Sequence, residues 1–87
     1  MHITQAPQGI NVVVETQESV YIGRLGNMEG EQVRMYDATV YQMDSSENAE
    51  EYIRQTATYG IPVEYRDLMF ETRGIRRVRK LGDIPKA

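Results

Sequence analysis

Cysteine is absent from this chain. That excludes disulfide staples and thiolate metal sites, and it is compatible with a reducing, cytosolic setting. The single histidine, His2, stands at the start of the chain, where a solvated end residue is expected rather than a ligand. Without a second His or Cys, neither a zinc site nor His-based acid–base chemistry is expected. Ser19, Ser45 and Ser46 have no evident base. There is no glycine-rich phosphate cradle and no carboxylate pair in an apolar setting. The expectation is therefore a protein that is not an enzyme, with no catalytic residue, metal or cofactor. No apolar run approaches the roughly 20 residues that span a bilayer, and the first residues lack a leader pattern. No membrane association is expected, and the expected localisation is cytoplasmic. Leucine is scarce, whereas Val, Ile, Tyr and Thr are common, a balance that favours strands.

The chain has 87 residues and a net charge of −3. That length allows one domain, 1–87, with a thin core that buries about 60% of the unfolded surface. Charge is segregated. Half of the ten Lys and Arg fall in Arg73-Gly74-Ile75-Arg76-Arg77-Val78-Arg79-Lys80, and the remainder of the chain is acidic. Such a stripe suits either an anionic partner or an ion-paired contact between subunits.

Residues 1–9, with Pro7 and Gly9, read as an irregular arm. Ile10, Val12 and Val14 alternate on one face of a first strand. A polar turn, 16–19, leads to a second strand, Val20 to Leu25, whose Gly23 invites a sharp bend. Residues 26–31 read as a loop. The third strand, Gln32 to Met43, changes apolar phase near Tyr36-Asp37, which predicts a bulge. Residues 44–67 form a variable insert. Ala49, Ile53, Thr56 and Ala57 recur at helical spacing, Asn48 with Glu51 resembles a cap, and Gly60 with Pro62 a stop; a hairpin arm over 48–58 is the alternative. Leu68–Thr72 and Ile75–Leu81 are the fourth and fifth strands.

This order, with a hydrophobic strand that ends in Arg73-Gly74, resembles the Sm and Sm-like family, Hfq included. The first motif is matched by Val12–Thr16, Val20–Leu25 and Val33–Val40, and the second by Phe70-Glu71-Thr72-Arg73-Gly74. The resemblance implies a mainly β fold: a small, strongly bent, five-stranded antiparallel barrel of the Sm-like (SH3-type) class, with a short helix in the insert. It also implies a cyclic homo-oligomer of five to seven subunits, in which the fourth strand of one copy pairs with the fifth of the next and Phe70, Ile75 and Val78 serve the joint. Single-stranded RNA would be bound around a central pore. Glu29 takes the acidic place in the family's base-binding loop, Gly30 the stacking place and Gln32 the Asn place, while Arg73 and Gly74 match the second motif.

Gly30 has no side chain to stack on a base, whereas Gln32 keeps a hydrogen-bonding edge. Arg73 offers a planar, bidentate head for a base or phosphate. Its alternative is an ion pair with Glu29. For Arg76, Arg77, Arg79 and Lys80, a solvated edge strand paired with acidic neighbours is favoured over a phosphate-tracking stripe. Tyr59 and Tyr65 are the tyrosines expected to be exposed. A structural ring that has lost the RNA pocket and docks a protein on its insert is the alternative function; a monomeric SH3-like adaptor is a third.

Overall fold

A computed structural model describes residues 1–43 and 49–86. Five antiparallel strands form one sheet: β1 (Asn11–Thr16), β2 (Ser19–Glu29), β3 (Gln32–Gln42), β4 (Tyr65–Glu71) and β5 (Ile75–Lys80). Their order is β4-β3-β2-β1-β5, so β4 and β5 are the two edges and the sheet is not closed. One helix, α1 (Ala49–Tyr59), lies between β3 and β4. It resolves the helix-or-hairpin alternative in favour of helix. Asn48, proposed as its cap, lies outside the described residues, as do Asp44, Ser45, Ser46 and Glu47.

β1 is buried on both faces. Ile10, Val12 and Val14 pack with Leu25, Val33, Met35, Ala38, Phe70 and Val78 in one apolar cluster. Val13 points the other way, into a second cluster with Val20, Ile22, Ile53, Leu81 and Ile84. α1 supplies Ile53 and, at its periphery, Ala49, Tyr52 and Ala57. The helix therefore covers the sheet face opposite the first cluster, and its i, i+4, i+8 spacing is what aligns Ala49, Ile53 and Ala57 on that face.

Three bulges bend the sheet. Ile22 pairs with Thr39 and Arg24 with Tyr36, so Gly23 faces two residues of β3. Asp37 there has φ of 49°. This is the predicted slip, and it restores Val33, Met35 and Ala38 to one cluster. A second bulge sits where Gly26 and Asn27 of β2 oppose Arg34 alone. A third sits in β5: Glu15 pairs with Arg77 and Thr16 with Ile75, leaving Arg76 without a ladder partner. That extra residue lets Ile75 and Val78, three apart, lie on the same side.

Several expected boundaries move. Residues 26–31 are not a loop: β2 continues to Glu29 and only Gly30-Glu31 turn, because the second bulge absorbs Gly26 within the strand. β4 begins at Tyr65, inside the stretch read as insert, because Tyr65 already pairs with Ala38. The arm is less irregular than expected. Ile3–Gln5 form a 3-10 turn, His2 accepts from the Thr4 N–H at its start, and Ile3 is buried in the first cluster. His2 is thus a local cap as well as an end residue.

Candidate functional site

The β4–β5 turn is the centre of the site. Gly74 has φ of 85°, a left-handed value that glycine adopts without strain, and it lets the chain reverse directly after Arg73. The turn is tied to the β2–β3 turn. Thr72 donates both its backbone N–H (2.8 Å) and its hydroxyl (3.0 Å) to the Glu31 carbonyl. Gly30 closes that second turn with φ of 65°. Gln32 pairs with Glu71 in the β3–β4 ladder, two residues from Arg73. The two turns carrying the sequence-predicted RNA residues are therefore held side by side.

Their side chains are not equivalent. Glu29 is engaged by Arg34, whose Nη2 lies 3.2 Å from its carboxylate. Arg34 also donates to both carboxylate oxygens of Asp67, at 2.7 and 2.8 Å. Its hydrogen bonds to Asp67 and then to Glu29 hold the guanidinium pKa above its ordinary value. The suggested Glu29–Arg73 pair is thus replaced by Glu29–Arg34, because the strand-like continuation of β2 sets Glu29 against β3.

Arg73 is exposed and makes no ion pair among the described residues. It lines an open groove of about 630 Å³ with Gly74, Arg76, Tyr21 and the β1–β2 turn, and the carboxylates of Glu18 and Glu71 line it too. Glu29, Gly30 and Gln32 do not line that groove. The structure thus joins the two turns through their backbones but directs Arg73 and Gly74 toward the β1–β2 side. The contribution of Thr16 and Ser19 to the groove was not anticipated. The Thr16 hydroxyl accepts from the Ser19 N–H at 3.0 Å, a local turn signature readable in Thr-x-x-Ser.

The basic strand divides. Arg77 pairs with Glu15 at 2.7 Å, and Arg79 reaches Glu15 and Glu50 at 3.0 Å each. Hydrogen bonding to Arg79 is the main reason the Glu50 carboxyl sits below its usual pKa. The hydrogen bonds to Glu15 and Glu50 in turn raise the Arg77 and Arg79 pKa values. These two arginines pin β5 to β1 and α1. Arg76 and Lys80 are exposed and have no ion pair among the described residues.

Of the residues proposed for a subunit joint, Phe70 and Val78 are buried within the chain itself. Phe70 is buried and stacks on Tyr21 with ring centroids 4.0 Å apart, and Val78 is buried opposite Val14. Both side chains fill the chain's own core, because it lies on the inner face of both edge strands. Ile75 is half-buried against the same cluster. Any joint at these edges would use their backbone N–H and C=O groups and outward side chains. Tyr59 (83% exposed) and Tyr65 (47%) are exposed as expected, whereas Tyr41 stacks on Tyr52 at 4.4 Å.

No group of three His, Cys, Asp or Glu among the described residues is placed to hold a metal ion. Among them no helix is long and apolar enough to cross a membrane. Compared with known proteins, the chain matches no protein-family model and no curated sequence.

Proposed function

We propose that this is a non-enzymatic, Sm-like protein that assembles into a ring and binds single-stranded RNA at the rim formed by the two tethered turns. The observation that carries the RNA reading is Arg73. It is an exposed guanidinium with no ion pair among the described residues, on a tight turn whose backbone is tied to the β2–β3 turn that precedes Gln32. Its planar fork of donors matches a phosphate or a base edge bidentately. Gln32 supplies a hydrogen-bonding amide, and Gly30 leaves room for backbone approach.

Two features support assembly. The five strands run in the order β4-β3-β2-β1-β5, so the two open edges are β4 and β5. The edges differ in the charge left without an ion pair among the described residues: β5 keeps Arg76 and Lys80, whereas β4 keeps Glu71, its Arg66 and Asp67 being paired with Asp37 and Arg34. Unpaired edge groups favour strand addition, and opposite charge favours β4 meeting β5 over β5 meeting β5. Repetition of one head-to-tail contact closes a ring when the rotation fits.

Fluorescently labelled oligo-uridine and oligo-adenine, titrated into wild type and Arg73→Ala at two salt concentrations, test the RNA site. Binding at low salt that Arg73→Ala weakens about tenfold or more is expected, in line with the roughly 1.5–3 kcal/mol of a charge-assisted hydrogen bond. Absence of binding to either oligonucleotide at low salt refutes it. Light scattering tests the ring, which a monomer at micromolar concentration would remove. The second reading, a ring that docks a protein on its insert, draws on exposed Tyr59, Val63 and Tyr65. It predicts assembly without oligonucleotide binding.

A further inference from the structure

A second cationic groove lies at the other end of β5. It is open, about 750 Å³ in volume, and its charged lining residues are Arg24, Lys80, Asp83 and Lys86. Asn11 at the start of β1 and Ala57 of α1 form part of its walls. Arg24 is engaged by Asp37 at 3.0 Å. Lys80 and Lys86 have no ion pair among the described residues and are exposed. Most cations of this acidic chain are neutralised by a neighbouring carboxylate. Those without an ion pair among the described residues are Arg73 and Arg76 in the first groove and Lys80 and Lys86 in this one. The first groove also carries Glu18 and Glu71, whereas this one has a surplus of positive charge, with Asp83 as the one carboxylate on its lining.

We infer that the Lys80–Lys86 groove holds backbone phosphates of the same single-stranded oligonucleotide whose other contact is Arg73, so that the strand runs along β5 from one groove to the other. The inference rests on the RNA reading above. The six residues of β5 separate the grooves by roughly 17 Å at about 3.3 Å per residue, within the reach of the ~4–16 nucleotides that small β-barrels bind. Lysine ammonium groups suit this end, because they act as point charges on phosphate and carry no base specificity. The open shape fits a polymer that passes through better than a small molecule that must be enclosed. Asp83 on the same wall limits how many phosphates the groove accepts.

The test compares the salt dependence of oligo-uridine binding for wild type, Lys80→Ala, Lys86→Ala and Arg66→Ala. Arg66 is an exposed cation on β4, outside both grooves and 3.8 Å from Asp37, so its removal lowers the net charge without taking a lining residue from either groove. Each lysine variant should lower the slope of log affinity against log salt by about 0.7. Over roughly a tenfold change of salt that is about fivefold per lysine. Arg66→Ala should leave the slope near that of wild type. Lysine variants that bind like wild type, or no more weakly than Arg66→Ala, would overturn this inference while Arg73-dependent binding stands. Failure of wild type to bind any oligonucleotide would overturn the inference and the RNA reading together. Shortening the oligonucleotide to two nucleotides should abolish the lysine effect and keep the Arg73 effect; a lysine effect of equal size on the dinucleotide would also overturn the shared path.

Discussion

Alanine at Gly23 tests the bend where β2 crosses close to β3. A Cβ built there lies 2.8 Å from the Ala38 Cβ, 2.8 Å from the Met35 Cγ and 2.9 Å from the Ala38 Cα. Met35 has rotamers into which to retreat. Ala38 does not, because its Cα is backbone, flanked by the Asp37 bulge and paired with Tyr65 across the ladder. The sheet must open at that point or lose the contact. Extra volume forced into a packed core costs about 1–3 kcal/mol. Gly23 has no positive φ, so alanine reduces the entropy of the unfolded chain and returns about 0.4–1 kcal/mol. The net expectation is a loss of about 1–2 kcal/mol. At about 4–8 °C per kcal/mol for a domain of this size, the melting temperature should fall by roughly 4–16 °C. Urea unfolding should show a lower midpoint at an unchanged m-value. Protein concentration must be held fixed, since assembly would couple to stability. Gly82→Ala is the control: nothing lies within 4 Å of its Cβ and its φ is not positive, so it should stay within about 0.5 kcal/mol of wild type. A Gly23→Ala protein as stable as wild type would refute the close approach of β2 to β3.

Ile53→Ala should cost about 2–4 kcal/mol, because Ile53 is fully buried and ties α1 to Val13, Val20 and Ile22; unfolding by circular dichroism at an unchanged midpoint would sink the assigned packing of the helix. Glu50→Gln should flatten the acid limb of a stability-versus-pH curve. The wild-type carboxyl has its pKa lowered mainly by the hydrogen bond from Arg79, so its contribution is present above the ordinary carboxylate range and is lost as pH falls through the lowered value. Thermal melts between about pH 3 and 7 should therefore converge for the two proteins at the acid end. Curves that stay parallel throughout would disconnect Glu50 from the stability of the β5–α1 contact.

Much of the fold was legible because it follows from local periodicity. Alternation at Ile10, Val12 and Val14 marks β1, the phase slip marks the bulge at Asp37, and the spacing of Ala49, Ile53 and Ala57 marks one face of α1. Other features were illegible because their cause is long-range. The continuation of β2 through Gly26 depends on pairing with Arg34 and Met35 across a second bulge. The early start of β4 depends on Ala38 being available to Tyr65. The three-residue spacing of Ile75 and Val78 makes sense only once Arg76 is seen to bulge against β1.

The same division runs through the candidate site. Residue identities alone mark which residues could bear function: a dense cationic segment, a glycine after Arg73 that permits reversal, and no thiol or second imidazole for metal or redox chemistry. Residue identity and local turn chemistry suffice for that. Which cations are neutralised emerges from the folded arrangement. Glu15 and Glu50 are distant from Arg77 and Arg79 in sequence, yet β1 and α1 bring their carboxylates to within about 3 Å of that strand. Charge pairing falls off over a few ångströms and ignores sequence separation, so folding selects Arg73, Arg76, Lys80 and Lys86 from a basic segment and tail that look uniform in one dimension.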